Sequence, residues 1–129
     1  MAESSDATSV HEEIAPEGWR ETLEQVTRDH RGFDVTIEVV GSRVGDQEEA
    51  VRLPFVSVEY DPKDDVVVIA VGGRDGRYPV ALRHMVWHPR RIFVDPPTPE
   101  TARALDVVDG DDNQTIVMFH RPPALPPAT

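Results

Sequence analysis

Two histidines four residues apart, in His84-Met-Val-Trp-His88, form the densest cluster of chemistry-bearing side chains in the sequence. On a helix that spacing would bring both imidazoles to one metal ion. Val86, Trp87 and the following Pro89 favour a strand instead. There, residues four apart are separated by about 13 Å at roughly 3.3 Å per residue, too far to share a zinc. The chain contains no cysteine, which removes thiolate zinc sites, disulfide scaffolds and cysteine nucleophiles. His30 stands alone on a helical stripe, suited to donating to a nearby carbonyl, so no metal and no other cofactor is implied. His84 beside a carboxylate on a neighbouring strand could act as a general acid or base. The serines (Ser4, Ser5, Ser9, Ser42, Ser57) lie outside any nucleophile-elbow pattern.

Charge is segregated around the same histidines. From Gly76 to Val94 there is no acid, while Arg77, Arg83, Arg90 and Arg91 give a formal +4, in a chain whose net charge is −11. Tyr78, Trp87 and Phe93 interleave with these cations. Guanidinium groups meet phosphates and rings stack on bases, so the pattern suits an anionic ligand or a single-stranded nucleic acid. It also suits arginines paired across strands with Glu38, Glu49, Glu59 or the Asp106–Asp112 cluster, and the excess of acids favours that second reading. Alternation places Val80, Leu82, His84 and Val86 on one face and Ala81, Arg83, Met85 and Trp87 on the other. If the first set faces the core, Arg83 and Trp87 point outward. Arg83, His84, Trp87, His88 and Arg90 are therefore the candidate binding residues, with no catalytic or metal-ligating residue assigned.

Three other motifs read as turns or tails. Asp109-Gly-Asp-Asp-Asn113 matches three ligand positions of a calcium loop, but Gln114 stands where glycine is needed and His120 where the bidentate glutamate belongs. A tight hairpin explains its composition better. Gly73-Arg-Asp-Gly76 has the spacing of a backbone-clamping loop, yet it follows a strand and not a helix. Pro123-x-x-Pro126 fits a PxxP ligand only formally.

The elements that must hold these residues are legible in outline. Pro16 suits a first helical position, and Trp19, Leu23, Val26 and His30 make one stripe ending at the cap Gly32. The period then switches to two: strands are expected at 33–40, 49–53, 56–60, the apolar run 66–71, 80–87 (which 91–94, after the interruption at Pro89, continues or follows as another), 104–108 and 115–119. Thr98 with Pro99 could start a short helical turn. Turns too short for crossover helices require antiparallel pairing. The expected fold is α+β, one N-terminal helix packed on a curled, mostly antiparallel sheet of six to seven strands. Residues 1–15 read as a disordered acidic tail, 16–120 as a single domain, and 121–129 as a proline-rich disordered tail.

The landmarks Trp19, His30-Arg-Gly-Phe33, Val39-Val-Gly41, Ala50 with Leu53-Pro54, Tyr60-Asp61 and His84 ahead of Pro89 occur in an order that resembles a family of short uncharacterised bacterial proteins. That family is a domain of unknown function typical of high-GC genomes, and the likeness spans about Gly18 to Phe119. It implies a bacterial cytosolic protein and no functional residue. Arginine supplies 12 of the 13 cations, as GC-rich codons would. No signal-like segment or membrane-length apolar run is present, so a cytoplasmic place is expected. The expected function is a small, acidic, non-enzymatic binding or regulatory module acting through its basic-aromatic strand face. Its partner would be an unknown protein, another copy of itself or a small anionic ligand. The alternatives are a small enzyme using His84 and, less suited to a chain of pI near 4.7, single-stranded nucleic-acid binding. No membrane partner is expected.

Overall fold

The computed structural model describes residues 12–41, 45–73, 80–95 and 103–121. The rest of the expected N-terminal tail, the Pro123–Pro126 motif, Arg77, Tyr78, most of the Gly73–Gly76 loop and the Thr98 turn lie outside them. Among the described residues no helix is long and apolar enough to cross a membrane.

The described residues open with β1 (Glu12–Ile14), pass a 3₁₀ turn at Pro16–Gly18 and enter α1 (Trp19–Asp29). Pro16 starts the turn, as its fixed φ and missing N–H allow. Trp19, Leu23 and Val26 are the buried side chains of α1, and His30 at its C-cap is buried too. Burying each of the three apolar groups is worth roughly 1.5–3 kcal/mol. Gly32, at φ +87°, ends the helical path in a conformation that glycine adopts without strain.

Seven further strands follow: β2 (Asp34–Gly41), β3 (Gly45–Asp61), β4 (Val66–Val71), β5 (Leu82–Trp87), β6 (Pro89–Asp95), β7 (Ala104–Asp109) and β8 (Gln114–His120). They form one eight-stranded sheet in the order β1-β6-β7-β8-β2-β3-β4-β5, and every pairing is antiparallel. Among the described residues the fold is thus mostly sheet with one short α-helix, and the expected α+β fold with six to seven strands is corrected. Three features set the count, the first being that the corner at His88 makes β5 and β6 separate strands and not one interrupted at Pro89. The expected strands at 49–53 and 56–60 are halves of β3, whose first half pairs with β2 and whose second half pairs with β4. Pro54 lies where the partner changes, so its missing N–H interrupts neither ladder. The extra strand is β1. It falls within the stretch to residue 15 expected to be disordered, and it forms because Glu13 and Ile14 pair with Phe93 and Ile92 of β6.

The sheet rolls up on itself, bringing His84 of the terminal strand β5 to Thr115 of β8, four strands away in the sheet order. Leu23, Ile37, Val58, Ile69, Ile92, Leu105, Val107 and Phe119 fill the enclosed space with no measurable exposure. Thr27 ties α1 to the outer half of β3: its hydroxyl donates to the Val58 carbonyl at 2.8 Å and accepts from the Val58 N–H at 3.0 Å.

Candidate recognition surface on β5

Strand β5 alternates as the sequence requires. Val86 is buried, Leu82 and His84 are half-buried, and Arg83, Met85 and Trp87 are exposed. Register carries the outward set across the sheet: Ala70 pairs with Arg83, Val68 with Met85 and Val66 with Trp87. Beyond β4 the next neighbours are Ser57, Glu59 and Asp61 of β3. Arg83, Met85, Ser57, Glu59 and Asp61 line a shallow cleft of about 380 Å³ on this face. Met85 and Trp87 are 43% and 51% exposed, two of the three large hydrophobic side chains that the described residues leave open. Leaving them in water forgoes burial that a core position would supply.

The five candidate residues do not form one cluster. Arg83 and Trp87 stay together on the outer face of β5. His84 points the other way, its Nε2 3.4 Å from the Thr115 hydroxyl. Burial holds its pKa below the ordinary histidine value, opposed in part by Glu49, so the ring is neutral at pH 7. His84 lines neither of the two clefts formed by the described residues, one between α1 and β3 and one on the outer face of β5.

His88 makes the corner between β5 and β6. Its φ is +56°, a left-handed conformation that a non-glycine residue holds only under tertiary constraint. Asp65 supplies that constraint: its carbonyl accepts the His88 N–H at 2.8 Å, and its Oδ2 lies 3.3 Å from His88 Nδ1. Tyr60 donates its hydroxyl to the other carboxylate oxygen at 2.8 Å. Asp65 therefore has a structural use that its place in an acidic turn does not reveal.

The remaining described cations of the basic window are paired. Arg90 reaches Asp112 at 3.2 Å. Arg91 makes a two-pronged contact to Glu13, at 3.2 and 3.0 Å, and lies over the Phe93 ring at 4.9 Å. The expected cross-strand pairing thus holds for Arg90 through the Asp106–Asp112 cluster. Arg91 takes a partner from β1, inside the stretch expected to be disordered. Among the described residues the window is consequently no continuous cationic surface, and Arg83 is its arginine without an ion pair there.

Asp109 closes the β7–β8 hairpin. Its Oδ1 accepts the N–H groups of Asp111 and Asn113 at 2.9 and 3.0 Å, and Asp112 takes φ +63°. This is the Asx-type turn that the composition favours over a calcium loop. Among the described residues no three His, Asp or Glu groups are placed to hold a metal ion.

Met85 is the surface residue that the sequence reading left out of the site. Alternation had placed it outward with Arg83 and Trp87, and an apolar side chain on an outward position was the available signal.

A larger cleft, about 590 Å³, lies between α1 and β3, lined among others by Arg20, Glu24, Thr27, Tyr60, Asp61 and Lys63. It mixes both signs of charge, and Arg20 and Glu24 face each other at 3.8 Å.

Comparison with other proteins matches the chain, over residues 10–128, to a family described as "Family of unknown function (DUF5335)". An "Uncharacterized protein" of Aquifex aeolicus (strain VF5) is 28% identical over 113 residues, which is 88% of this chain and 93% of that protein. No solved structure matches.

Proposed function

The chain belongs to the DUF5335 family of unknown function, and from that premise we propose that it is a non-enzymatic binding module of the bacterial cytoplasm whose recognition surface is the outer face of β5. The observation that carries this reading is the exposure of Met85 and Trp87 beside Arg83 on one strand at the end of the sheet. Tryptophan, methionine and arginine are the residues over-represented where proteins recognise each other. A protein partner fits this face better than a nucleic acid. Arg90 and Arg91 are held by carboxylates, and Glu59 and Asp61 share the cleft with Arg83, so a phosphate backbone would meet little net attraction.

Replacing Arg83→Ala together with Trp87→Ala tests the assignment. Both side chains are exposed, so stability should stay within about 1 kcal/mol of the parent. Proteins retained by the immobilised parent chain should be lost by the double variant and kept by Glu24→Ala, which lies on the helix. An unchanged set of bound proteins with an intact fold would refute the placement.

A further inference from the structure

We propose that the outer edge of β5 pairs with β5 of a second copy of this chain, antiparallel and centred on Met85. The proposal rests on the reading of β5 as the recognition surface and names its occupant.

Among the described residues, strand β5 ends the sheet order, with β4 as its single ladder partner. The His88 N–H bonded to the Asp65 carbonyl at 2.8 Å fixes the phase of that ladder. Counting back by twos, Val86, His84 and Leu82 turn their backbone groups toward β4, and Arg83, Met85 and Trp87 turn theirs to the open side. An open edge is a template for another strand unless something blunts it. Within β5 there is no proline, and its register with β4 runs without a bulge from Leu82 to Trp87. Pro89 lies beyond its end, in β6.

The residues on the open edge complement themselves. A two-fold axis at Met85 sets that residue against the partner's Met85, and Arg83 against the partner's Trp87. In this register all three outward N–H groups of each copy meet outward carbonyls of the other, making six hydrogen bonds. The side chains of these three residues share the outer face, so sulfur packs on sulfur and each guanidinium lies against an indole, a cation–π pair. Neighbouring registers are poorer. A slip of two residues one way sets Arg83 against the partner's Pro89, which has no N–H to give. A slip the other way sets Trp87 against the partner's Ala81. Strand β5 itself, Leu82 to Trp87, contains no acid, so a contact along its edge sets no carboxylate of β5 against another, although each chain carries −11.

One strand pair lies at the low end of interface sizes, so association should be weak, with a dissociation constant of about 1 µM or above. Sedimentation velocity of the full chain, from about 1 µM to about 1 mM, should show a monomer passing to a dimer. Arg83→Glu alone and Trp87→Arg alone should each weaken the dimer by ~10-fold or more, the second by facing two guanidinium groups. The two changes together restore opposite charges across the axis and should return affinity to within ~3-fold of the parent. Because the chain has no cysteine of its own, a nitroxide on Met85→Cys reports the register independently. Its spectrum should broaden by spin–spin coupling at dimer concentrations, while a label at Glu24→Cys should not.

A monomer throughout the range overturns the proposal. So does a dimer indifferent to the charge changes, or one without broadening at position 85. If the chain stays monomeric but the Arg83→Ala, Trp87→Ala variant still loses a bound protein, β5 remains the recognition surface and its occupant is a different chain. If the dimer forms as described and no other protein is lost, self-association is what the surface does.

Discussion

His30 and His84 show how burial decides the state of a titratable side chain. His30 is almost fully enclosed. Its Nδ1 lies 2.8 Å from the Val26 carbonyl, so that nitrogen carries the proton and donates. Its ring stacks on Phe119 at a centroid distance of 4.2 Å. Burial depresses its pKa, with the Val26 bond pulling the other way, and burial depresses that of His84 as well. An unfolded histidine takes a proton near the ordinary value of 6.5, whereas these two resist until the pH is lower. Below that value the unfolded chain binds more protons than the folded one, so acid favours unfolding. Above it the two states bind alike and this contribution is flat. Stability measured by urea unfolding should therefore fall as the pH is lowered from 7 through 6.5. The slope has an upper limit of about 1.4 kcal/mol per pH unit for each such histidine. His84→Gln, which keeps an amide for Thr115, should make the fall shallower. An unchanged slope would show that His84 does not resist protonation. The stripe containing His30 can be read from spacing alone. Its stack on Phe119 cannot, because that ring arrives from β8, 89 positions along the chain.

At the scale of elements, β1 and β3 show where local sequence stops being informative. Glu12-Glu-Ile14 has no alternation worth the name, and its acids match a solvated tail. It is a strand because β6 offers an edge, because Arg91 grips Glu13 with two hydrogen bonds, and because the Trp19 indole donates to the Ile14 carbonyl at 2.9 Å. The Arg91 contact also holds the Glu13 carboxyl below its usual pKa. That tether is present above the ordinary glutamate value of 4.5 and is lost as the pH falls through the lower, folded value. Glu13→Gln should loosen the strand even at neutral pH. Amide exchange should speed up at Ile14 and along the edge of β6 that faces it, with the melting temperature hardly moved, since the contact is at the surface. Protection equal to that of the parent chain would mean that the ladder alone holds β1. In β3 the difficulty is the reverse. Pro54 reads as the end of one strand and the start of another, yet the backbone continues while its hydrogen-bonding partner changes.

The described strands make one sheet whose order, β1-β6-β7-β8-β2-β3-β4-β5, joins strands far apart in sequence. β2 pairs with β8 across most of the chain, at Asp34 with His120. Loops must close before such contacts repay their entropy, so folding should occupy milliseconds to seconds and not microseconds. The two tryptophans separate core from surface in that measurement. Trp19 is buried edge-on to Tyr60 at 5.2 Å, while Trp87 is half in water. Stopped-flow refolding of Trp87→Phe should keep most of the fluorescence change and the same rate. Loss of the signal would place Trp87, and not Trp19, in the forming core.

By itself the sequence determined the helical stripe, the alternation that turns Arg83, Met85 and Trp87 away from His84, the hairpin at Asp109–Asn113, and the lack of thiol chemistry. Those follow from properties that neighbouring residues settle among themselves: side-chain period, turn conformation and residue type. Tertiary structure decided the eighth strand, the corner at His88 and the fate of the basic window. Arg90 and Arg91 were cations of equal standing with Arg83 until Asp112 and Glu13 were brought beside them from β8's hairpin and from β1. Whether a charge is spent inside the molecule or left for a partner depends on which opposite charge lies within a few ångströms, and only the folded chain sets that distance.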